Sequence, residues 1–209
     1  MSPPRTRRAA ALVAATALVA LAVQYALLLA NAAPALAPGM ATLRFFSYFT
    51  VLSNCVVAVV CGAVASGRVA WPANARMQGA AALAIGMTGA VHALLLAPLL
   101  QLQGAPWWVD KALHVLVPLL YLGWWLALAP HGRLRAADLG AWLLFPLGYL
   151  AWIAVRATWI ERWFPYPFLD VDTLGLPGVA ANAALVALAF VLAGALLLML
   201  DRWLGRRPR

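Results

Sequence analysis

The chain has 209 residues, of which 66% are hydrophobic and only 10% are charged, and its mean hydropathy is +0.88. Soluble domains carry about 25% charged residues, so this composition excludes a water-soluble globular fold. The net charge of +9 does not indicate a nucleic-acid partner, because the arginines form short clusters beside apolar segments with no soluble domain between them.

Six apolar stretches are each long enough to cross a bilayer, which takes roughly 20 residues at a rise of about 1.5 Å per residue. The sequence therefore predicts an all-α membrane protein, a six-transmembrane helical bundle that forms one integral membrane domain over residues 1–209. The fourth stretch is the shortest, and Pro146 interrupts the fifth. The predicted spans are Ala9–Ala30, Phe45–Ala65, Met77–Leu100, Ala112–Ala129, Ala136–Ile160 and Pro177–Leu204.

The basic residues predict the orientation of this bundle. Eleven of them precede the first span, flank the connections after the second and fourth spans, or follow the sixth, whereas the other three connections hold only Arg44, Lys111 and Arg162. This asymmetry predicts that both termini are cytoplasmic, in a multi-pass protein of the inner (plasma) membrane. The inner set, which we expect to contact anionic lipid headgroups, comprises Arg5, Arg7, Arg8, Arg68, Arg76, Arg133, Arg135, Arg202, Arg206, Arg207 and Arg209.

The N-terminal apolar run exceeds the signal-peptide core of about 7–15 residues, so we expect it to be a retained span. Asn31–Leu43, with Pro34 and Pro38, predicts an irregular outer loop, and Gln101–Asp110 predicts a second one that places Trp107 and Trp108 at the interface.

The third outer connection, Glu161–Leu176, is the most unusual. Its aromatic residues surround two prolines and precede two carboxylates: Trp163, Phe164, Pro165, Tyr166, Pro167, Phe168, Asp170 and Asp172. Such residues form either an interfacial aromatic belt or a structured cap over a cavity that opens outward. The sequence leaves both interpretations open.

Polar residues lie inside the predicted spans. Ser47, Thr50 and Asn54 share one face of the second span, and Thr50 lies about 9 Å below Arg44 at helical rise. The same arithmetic places His114 about 6 Å below Asp110 on the fourth span.

Two further residues reach the same outer half of the bilayer. His92 lies about 13 Å below Gln101 on the third span, and Arg156 lies near the outer end of the fifth. His114 is a candidate functional residue because ionisable groups within spans are costly. A histidine near neutral pH can accept a proton, which a hydroxyl such as that of Thr50 must lose to become a nucleophile.

Each of these residues also has a structural interpretation. Thr50 can bond the carbonyl one turn back, Asn54 can hold helices together, and Arg156 can reach the outer headgroups. His92 can serve as a structural hydrogen-bonding residue.

Three segments carry a resemblance to a known family: FFSYFTVLSN on the second span, DKALHVLVP opening the fourth, and WFPYPFLD after the fifth. In this order and spacing the chain resembles the androgen-induced-gene-one family, which includes the androgen-dependent regulator of tissue factor pathway inhibitor. The resemblance implies a multi-spanning hydrolase of fatty acid esters of hydroxy fatty acids. It implies that Thr50 and His114 are the intramembrane catalytic threonine and histidine.

The resulting hypothesis is a membrane hydrolase of a long-chain lipid ester, in which Thr50 is the nucleophile and His114 the base. Ser47, Asn54 and His92 are the candidate oxyanion donors, and Arg156 is the candidate ligand of a carboxylate or phosphate headgroup. Asp110, one turn before His114, could orient it only weakly. The expected partner is a membrane lipid or fatty-acyl ester, and we expect no cofactor and no metal.

Two alternatives remain open from the sequence. His92 and His114 could be axial ligands of a b-type haem in an electron-transfer protein. The protein could instead be a non-enzymatic membrane scaffold or lipid-binding protein whose polar residues only fix helix packing. Cys55 and Cys61, six residues apart on one span, favour neither a disulfide nor a metal site.

Overall fold

The structure, a computed structural model, describes residues 3–32 and 35–206. Within those residues the regular elements are helices throughout, which confirms the predicted all-α class. The α-helices are α1 (Pro4–Ala32), α2 (Pro38–Phe45), α3 (Phe49–Ala65), α4 (Ala75–Val91), α5 (Ala105–Lys111), α6 (Val117–Leu128), α7 (Ala136–Trp159) and α8 (Val171–Gly205).

Short helical turns of other types join several of these elements. A π-helical turn, His92–Leu96, and a 3-10 turn, Ala97–Leu99, extend α4. A second π-helical turn, Ala112–Leu116, joins α5 to α6 without a break, so that one helix runs over Ala105–Leu128. A 3-10 turn at Pro167–Leu169 precedes α8.

In the described part of the chain, five helices are long and apolar enough to cross a membrane, and there are six if α2 and α3 together make one span. Many large apolar side chains on these helices are exposed, for example Leu94 on the third and Leu119 on the fourth. A surface of this kind suits lipid better than water. The fold therefore has the multi-pass helical character that the composition predicts.

The second predicted span is broken, which the sequence did not indicate. The chain leaves α2 at Phe45, bends by 73° and resumes as α3 at Phe49. The predicted irregular loop Asn31–Leu43 is also wrong in its second half, because Pro38 occupies the first turn of α2, where a proline is well tolerated. Pro34, Arg207 and Arg209 lie outside the described residues.

The fourth helix begins earlier than predicted. The fourth starts at Ala105, where Pro106 fits the first turn, so Trp107 and Trp108 are helical rather than in a loop. The last begins with a short turn at Val171, which the Asp170 carboxylate caps, but its backbone is non-helical at Gly175 (φ 65°, ψ 167°). The long apolar helix therefore begins beside Pro177, as predicted. Pro146 does not interrupt α7, which continues to Trp159.

Helix α4 lies at the centre of the bundle, against α3, α6, α7 and α8, and α1 packs along α3 and α6. Two glycines of α4 allow close packing with neighbouring helices. A Cβ on Gly79 would lie 2.6 Å from the Trp142 ring, and one on Gly89 would lie 3.1 Å from the carbonyl oxygen of His114. Close approach at Gly89 therefore brings α4 against the turn that carries His114.

Candidate active site

The break in the second span places Thr50 in the first turn of a helix. Tyr48 is the N-cap residue of α3 and its side chain does not cap the helix, so the N–H groups of the first turn need partners from elsewhere. The Thr50 side chain also differs from other hydroxyls in the protein. Ser47 and Thr88 donate to carbonyl oxygens four residues earlier, whereas the Thr50 hydroxyl faces side chains of other elements.

Thr50 and His114 are in direct contact across the bundle. Thr50 Oγ1 lies 3.0 Å from His114 Nε2, and Thr50 is only 7% exposed. His114 Nδ1 lies 3.0 Å from both the backbone carbonyl oxygen and the Oδ1 of Asp110. Because two acceptors face Nδ1, the neutral ring carries its proton there and leaves the Nε2 lone pair for the Thr50 hydroxyl.

Asp110 is therefore more than the weak partner that the sequence predicted. Its carboxylate lies 3.0 Å from His114 Nδ1, 3.0 Å from His92 Nε2 and 3.3 Å from the Lys111 ammonium. It is buried, with 8% of its surface exposed, and the three donors hold it in place. Hydroxyl, imidazole and carboxylate stand in the order that activates a nucleophile in acyl-transfer enzymes.

Both histidines occupy π-helical turns. His92 begins the turn that extends α4, and His114 is the central residue of the turn between α5 and α6. Such turns are rare and occur often at functional sites, since the wider turn redirects a side chain without ending the helix. The two rings stack with centroids 3.8 Å apart and planes at 13°. His92 thus holds the His114 ring by stacking on one face of it. It also holds the carboxylate of Asp110 through its Nε2.

The stacked rings argue against the haem alternative, because axial ligands must approach an iron from opposite faces of a porphyrin.

The same residues have the donor atoms that a single metal ion requires. Donor atoms of His92, Asp110 and His114 lie within 4.8 Å of one another and could hold a divalent metal. Hydrogen bonds among the three residues account for the same arrangement, and the ammonium of Lys111 beside Asp110 opposes a second positive charge.

The three predicted oxyanion donors are turned to other partners. Ser47 Oγ donates to the Leu43 carbonyl oxygen at 2.8 Å, and His92 faces Asp110. Asn54 Nδ2 donates to the carbonyl oxygens of Thr50 and Leu113 at 2.8 and 3.3 Å, so it joins α3 to the His114 turn. Their predicted role is therefore not supported, and Asn54 has the alternative role of holding helices together.

Tyr166 is a site residue that sequence reasoning missed. It lies in the connection after α7, and its hydroxyl oxygen accepts the Thr50 backbone N–H at 3.3 Å. The same oxygen lies 3.4 Å from Thr50 Oγ1. The signals in the sequence are its place in the segment WFPYPFLD and its position between Pro165 and Pro167, which restrict the backbone on both sides.

Arg156 holds this connection in place. It is fully buried, its Nη1 lies 3.4 Å from Glu161 Oε2, and its Nη2 donates to the Trp163 carbonyl oxygen. Arg44 binds the same carboxylate through Nε at 3.1 Å, and both guanidinium groups lie 4.9 Å from the Trp163 ring. These contacts support a role in fixing the loop, and binding of a substrate headgroup by Arg156 stays a prediction.

The connection after α7 covers a cleft, which agrees with the cap, one of the two interpretations that the sequence left open. Tyr166, Phe168 and Leu169 cover a cleft whose other walls come from α3, α4, α7 and α8. The cleft has a cavity volume of about 140 Å³, and the described residues that line it carry no charge. Thr50 forms part of its wall, and His114 contacts the Thr50 hydroxyl from outside the lining.

The cleft opens to the side of the bundle. Leu147 of α7 and Val191 of α8 line it and are 55% and 37% exposed at the outer surface. A molecule dissolved in the bilayer could therefore reach Thr50 between α7 and α8 without crossing water.

The attachment of the cap should depend on pH. The hydrogen bond from Arg44 lowers the pKa of Glu161 below its ordinary value of 4.5. A carboxyl whose pKa is lower in the folded state stabilises the fold above the unfolded value and loses that contribution as pH falls through the folded one. We expect hydrogen exchange of residues 161–169 to rise as the pH falls below 4.5, before that of α4. This pH-dependent rise should be absent in Glu161→Gln. Equal exchange of the cap in both proteins would contradict this.

Comparison with protein-family models, with curated proteins and with solved structures yields no match to this chain.

Proposed function

We propose that this protein is a membrane-embedded hydrolase of a long-chain lipid ester, with Thr50 as nucleophile and His114 as general base. The 3.0 Å contact between Thr50 Oγ1 and His114 Nε2 is the observation that carries the proposal. A buried hydroxyl on a partly buried imidazole, with a carboxylate behind it, meets the geometric requirement for an activated nucleophile. The resemblance of the three sequence segments to a hydrolase family points to the same two residues.

The reaction follows from the hydrogen bonds. Thr50 Oγ1 bonds to the acyl carbon while its proton passes to His114 Nε2 and the carbonyl electron pair moves onto oxygen. Collapse of this intermediate breaks the bond to the alkoxy oxygen, which takes the proton from His114. Water then gives its proton to His114 and attacks the acyl-threonine, and the fatty acid leaves as Thr50 regains its proton. Asp110 keeps the ring oriented and stabilises the imidazolium that forms in both halves.

The cleft supports the choice of substrate. Its walls are apolar apart from the hydroxyls of Thr50, Thr88, Tyr149 and Tyr166, as is usual for a site that binds an apolar ligand. A hydrocarbon chain would bury apolar surface along α7 and α8 and bring its ester carbonyl to Thr50. A charged group would find no partner among the lining residues, so the acyl chain is the part we assign to the cleft.

The orientation completes the proposal. We place six spans in the plasma membrane, with α2 and α3 as one broken span and both termini in the cytoplasm, because the basic residues cluster at the inner connections. Thr50 and His114 then lie in the outer half of the bilayer beneath the cap.

The test uses the purified protein in detergent and an alkyl fluorophosphonate, which bonds to activated hydroxyls. We expect labelling of the wild-type protein and none of Thr50→Ala or His114→Ala, because the first lacks the nucleophile and the second lacks its base. The matched control is Ser47→Ala, which removes a nearby buried hydroxyl that donates to a backbone carbonyl. Labelling that persists unchanged in both site variants would overturn the assignment.

A divalent metal at His92, Asp110 and His114 is the competing chemistry, because it would activate water directly. Turnover of a 4-nitrophenyl ester of a long-chain acid distinguishes the threonine mechanism from the metal mechanism. The threonine mechanism predicts the same rate before and after dialysis against a chelator. Loss of turnover that zinc restores would favour the metal.

A further inference from the structure

The proposed reaction requires a group that stabilises the negative oxygen of the tetrahedral intermediate, and the three residues expected to do so face elsewhere. Two other donors lie beside the Thr50 hydroxyl. One is the backbone N–H of Thr50 itself, in the uncapped first turn of α3. The other is the hydroxyl of Tyr166, 3.4 Å from Thr50 Oγ1.

In the free protein these two groups are bonded to each other. The Thr50 N–H donates to the Tyr166 hydroxyl oxygen at 3.3 Å, which is long for such a bond, so little is lost when it is replaced. Both groups border the cleft to which the proposed function assigns the acyl chain. A carbonyl oxygen that entered between them would meet two donors within reach of the attacking oxygen.

We propose that Tyr166 is a catalytic residue whose hydroxyl, together with the Thr50 backbone N–H, donates hydrogen bonds to the oxyanion formed when Thr50 attacks the ester. This assignment rests on the proposed function and extends it to a residue of the outer cap. The bond made is between Thr50 Oγ1 and the acyl carbon, the carbonyl electron pair goes to the oxygen, and Tyr166 keeps its proton throughout.

The state and position of Tyr166 suit this role. Burial raises the pKa of Tyr166 to about 12, so the hydroxyl is protonated and can donate. Its ring stacks on Phe168 at 5.2 Å and meets Tyr48 edge-on at 5.9 Å. The ion pairs of Glu161 with Arg44 and Arg156 hold the preceding residues. A donor that is fixed before the reaction begins stabilises the transition state most effectively.

The N-terminal end of α3 also favours an oxyanion beside Thr50. The N-terminal end of a helix carries partial positive charge, which favours a negative oxygen near its first turn. The hydroxyls of Tyr149 and Tyr166 both contact residues at the start of α3, but Tyr149 donates to the Ser47 carbonyl oxygen at 3.0 Å. Tyr166 is therefore the tyrosine whose hydroxyl contacts both the backbone N–H and the side-chain hydroxyl of Thr50.

The experiment compares Tyr166→Phe with wild type, using a 4-nitrophenyl ester of a long-chain acid. We expect kcat to fall by about 10²–10³-fold with little change in KM, because the lost bond is made in the transition state. The matched control is Tyr48→Phe, which removes a tyrosine hydroxyl from the residue that packs against Tyr166 and Trp163. It should retain wild-type kcat.

An alkyl trifluoromethyl ketone distinguishes a catalytic from a merely structural role. Thr50 adds to its carbonyl and leaves an oxyanion in the same site, so Tyr166→Phe should weaken its inhibition by the factor lost in kcat/KM. An alkyl ether of the same length, which binds without reacting, should bind both proteins equally. If Tyr166→Phe matches Tyr48→Phe while Thr50→Ala is inactive, the oxyanion assignment is wrong and the hydrolase stands; if Thr50→Ala stays active, the proposed function itself fails.

Discussion

Thr50→Val is expected to lower kcat for long-chain ester hydrolysis by about 10⁴-fold or more, whereas Thr50→Ser should retain much of the wild-type rate. Valine keeps the branched shape of threonine and removes only the hydroxyl, so packing against Tyr166 and His114 is preserved. Serine keeps the hydroxyl at 3.0 Å from His114 Nε2. The measurement is steady-state turnover of a 4-nitrophenyl palmitate solution in detergent micelles.

Thermal unfolding of both variants serves as the control for folding. Similar midpoints with very different kcat values would place the loss in chemistry rather than stability. Wild-type turnover by Thr50→Val would contradict the nucleophile assignment, because no proton or oxygen would then be available at that position.

Asp110→Asn is expected to lower kcat by about 10⁴-fold, the effect that the same exchange has in serine hydrolases. The neutral amide can donate to His114 Nδ1, which moves the ring proton to Nε2 and removes the acceptor for the Thr50 hydroxyl. It also removes the charge that stabilises the imidazolium. The volume of the side chain is unchanged, so the stacked histidines should keep their positions.

The matched control for this change is Asp138→Asn, which alters a carboxylate paired with Arg76 at 3.1 Å, away from the site. It should leave kcat near the wild-type value. An Asp110→Asn protein that turns over the ester as fast as wild type would show that His114 needs no carboxylate.

The sequence indicated the Thr50–His114 pair because two kinds of information converge there. Positive charges predicted which ends of the spans face outward, and helical rise then predicted the depth of each polar residue. Residues on separate helices at equal depth can meet, and the structure brings these two to 3.0 Å. Depth alone does not specify which faces of the helices meet. It therefore does not show whether Thr50, Ser47 or Asn54 contacts His114.

The role of Asp110 was underestimated for a definite reason. The sequence pattern starts the fourth span at Ala112, which places Asp110 in a loop. The helix actually starts at Ala105 and passes through a π-helical turn, which places the carboxylate on a continuous helix facing His114. Apolar periodicity detects the hydrophobic part of a helix and not its polar first turns.

The sequence also does not indicate the break in the second span. Phe45, Phe46 and Tyr48 continue the apolar run, and neither glycine nor proline marks the 73° bend. Tertiary contacts make the bend possible, because Tyr149 donates to the Ser47 carbonyl oxygen and Tyr166 accepts the Thr50 N–H. Both tyrosines are about a hundred residues away in sequence. Local patterns carry no information about such pairings.

The most direct test of the account is to locate the modified atom. Wild-type protein is treated with an alkyl fluorophosphonate, digested, and analysed by tandem mass spectrometry, with His114→Ala treated in parallel. The account predicts a phosphonyl adduct on Thr50 in the wild-type protein and none in the variant. An adduct on any other hydroxyl, or an adduct on Thr50 that forms equally fast without His114, would contradict the claim that these two side chains form one catalytic unit.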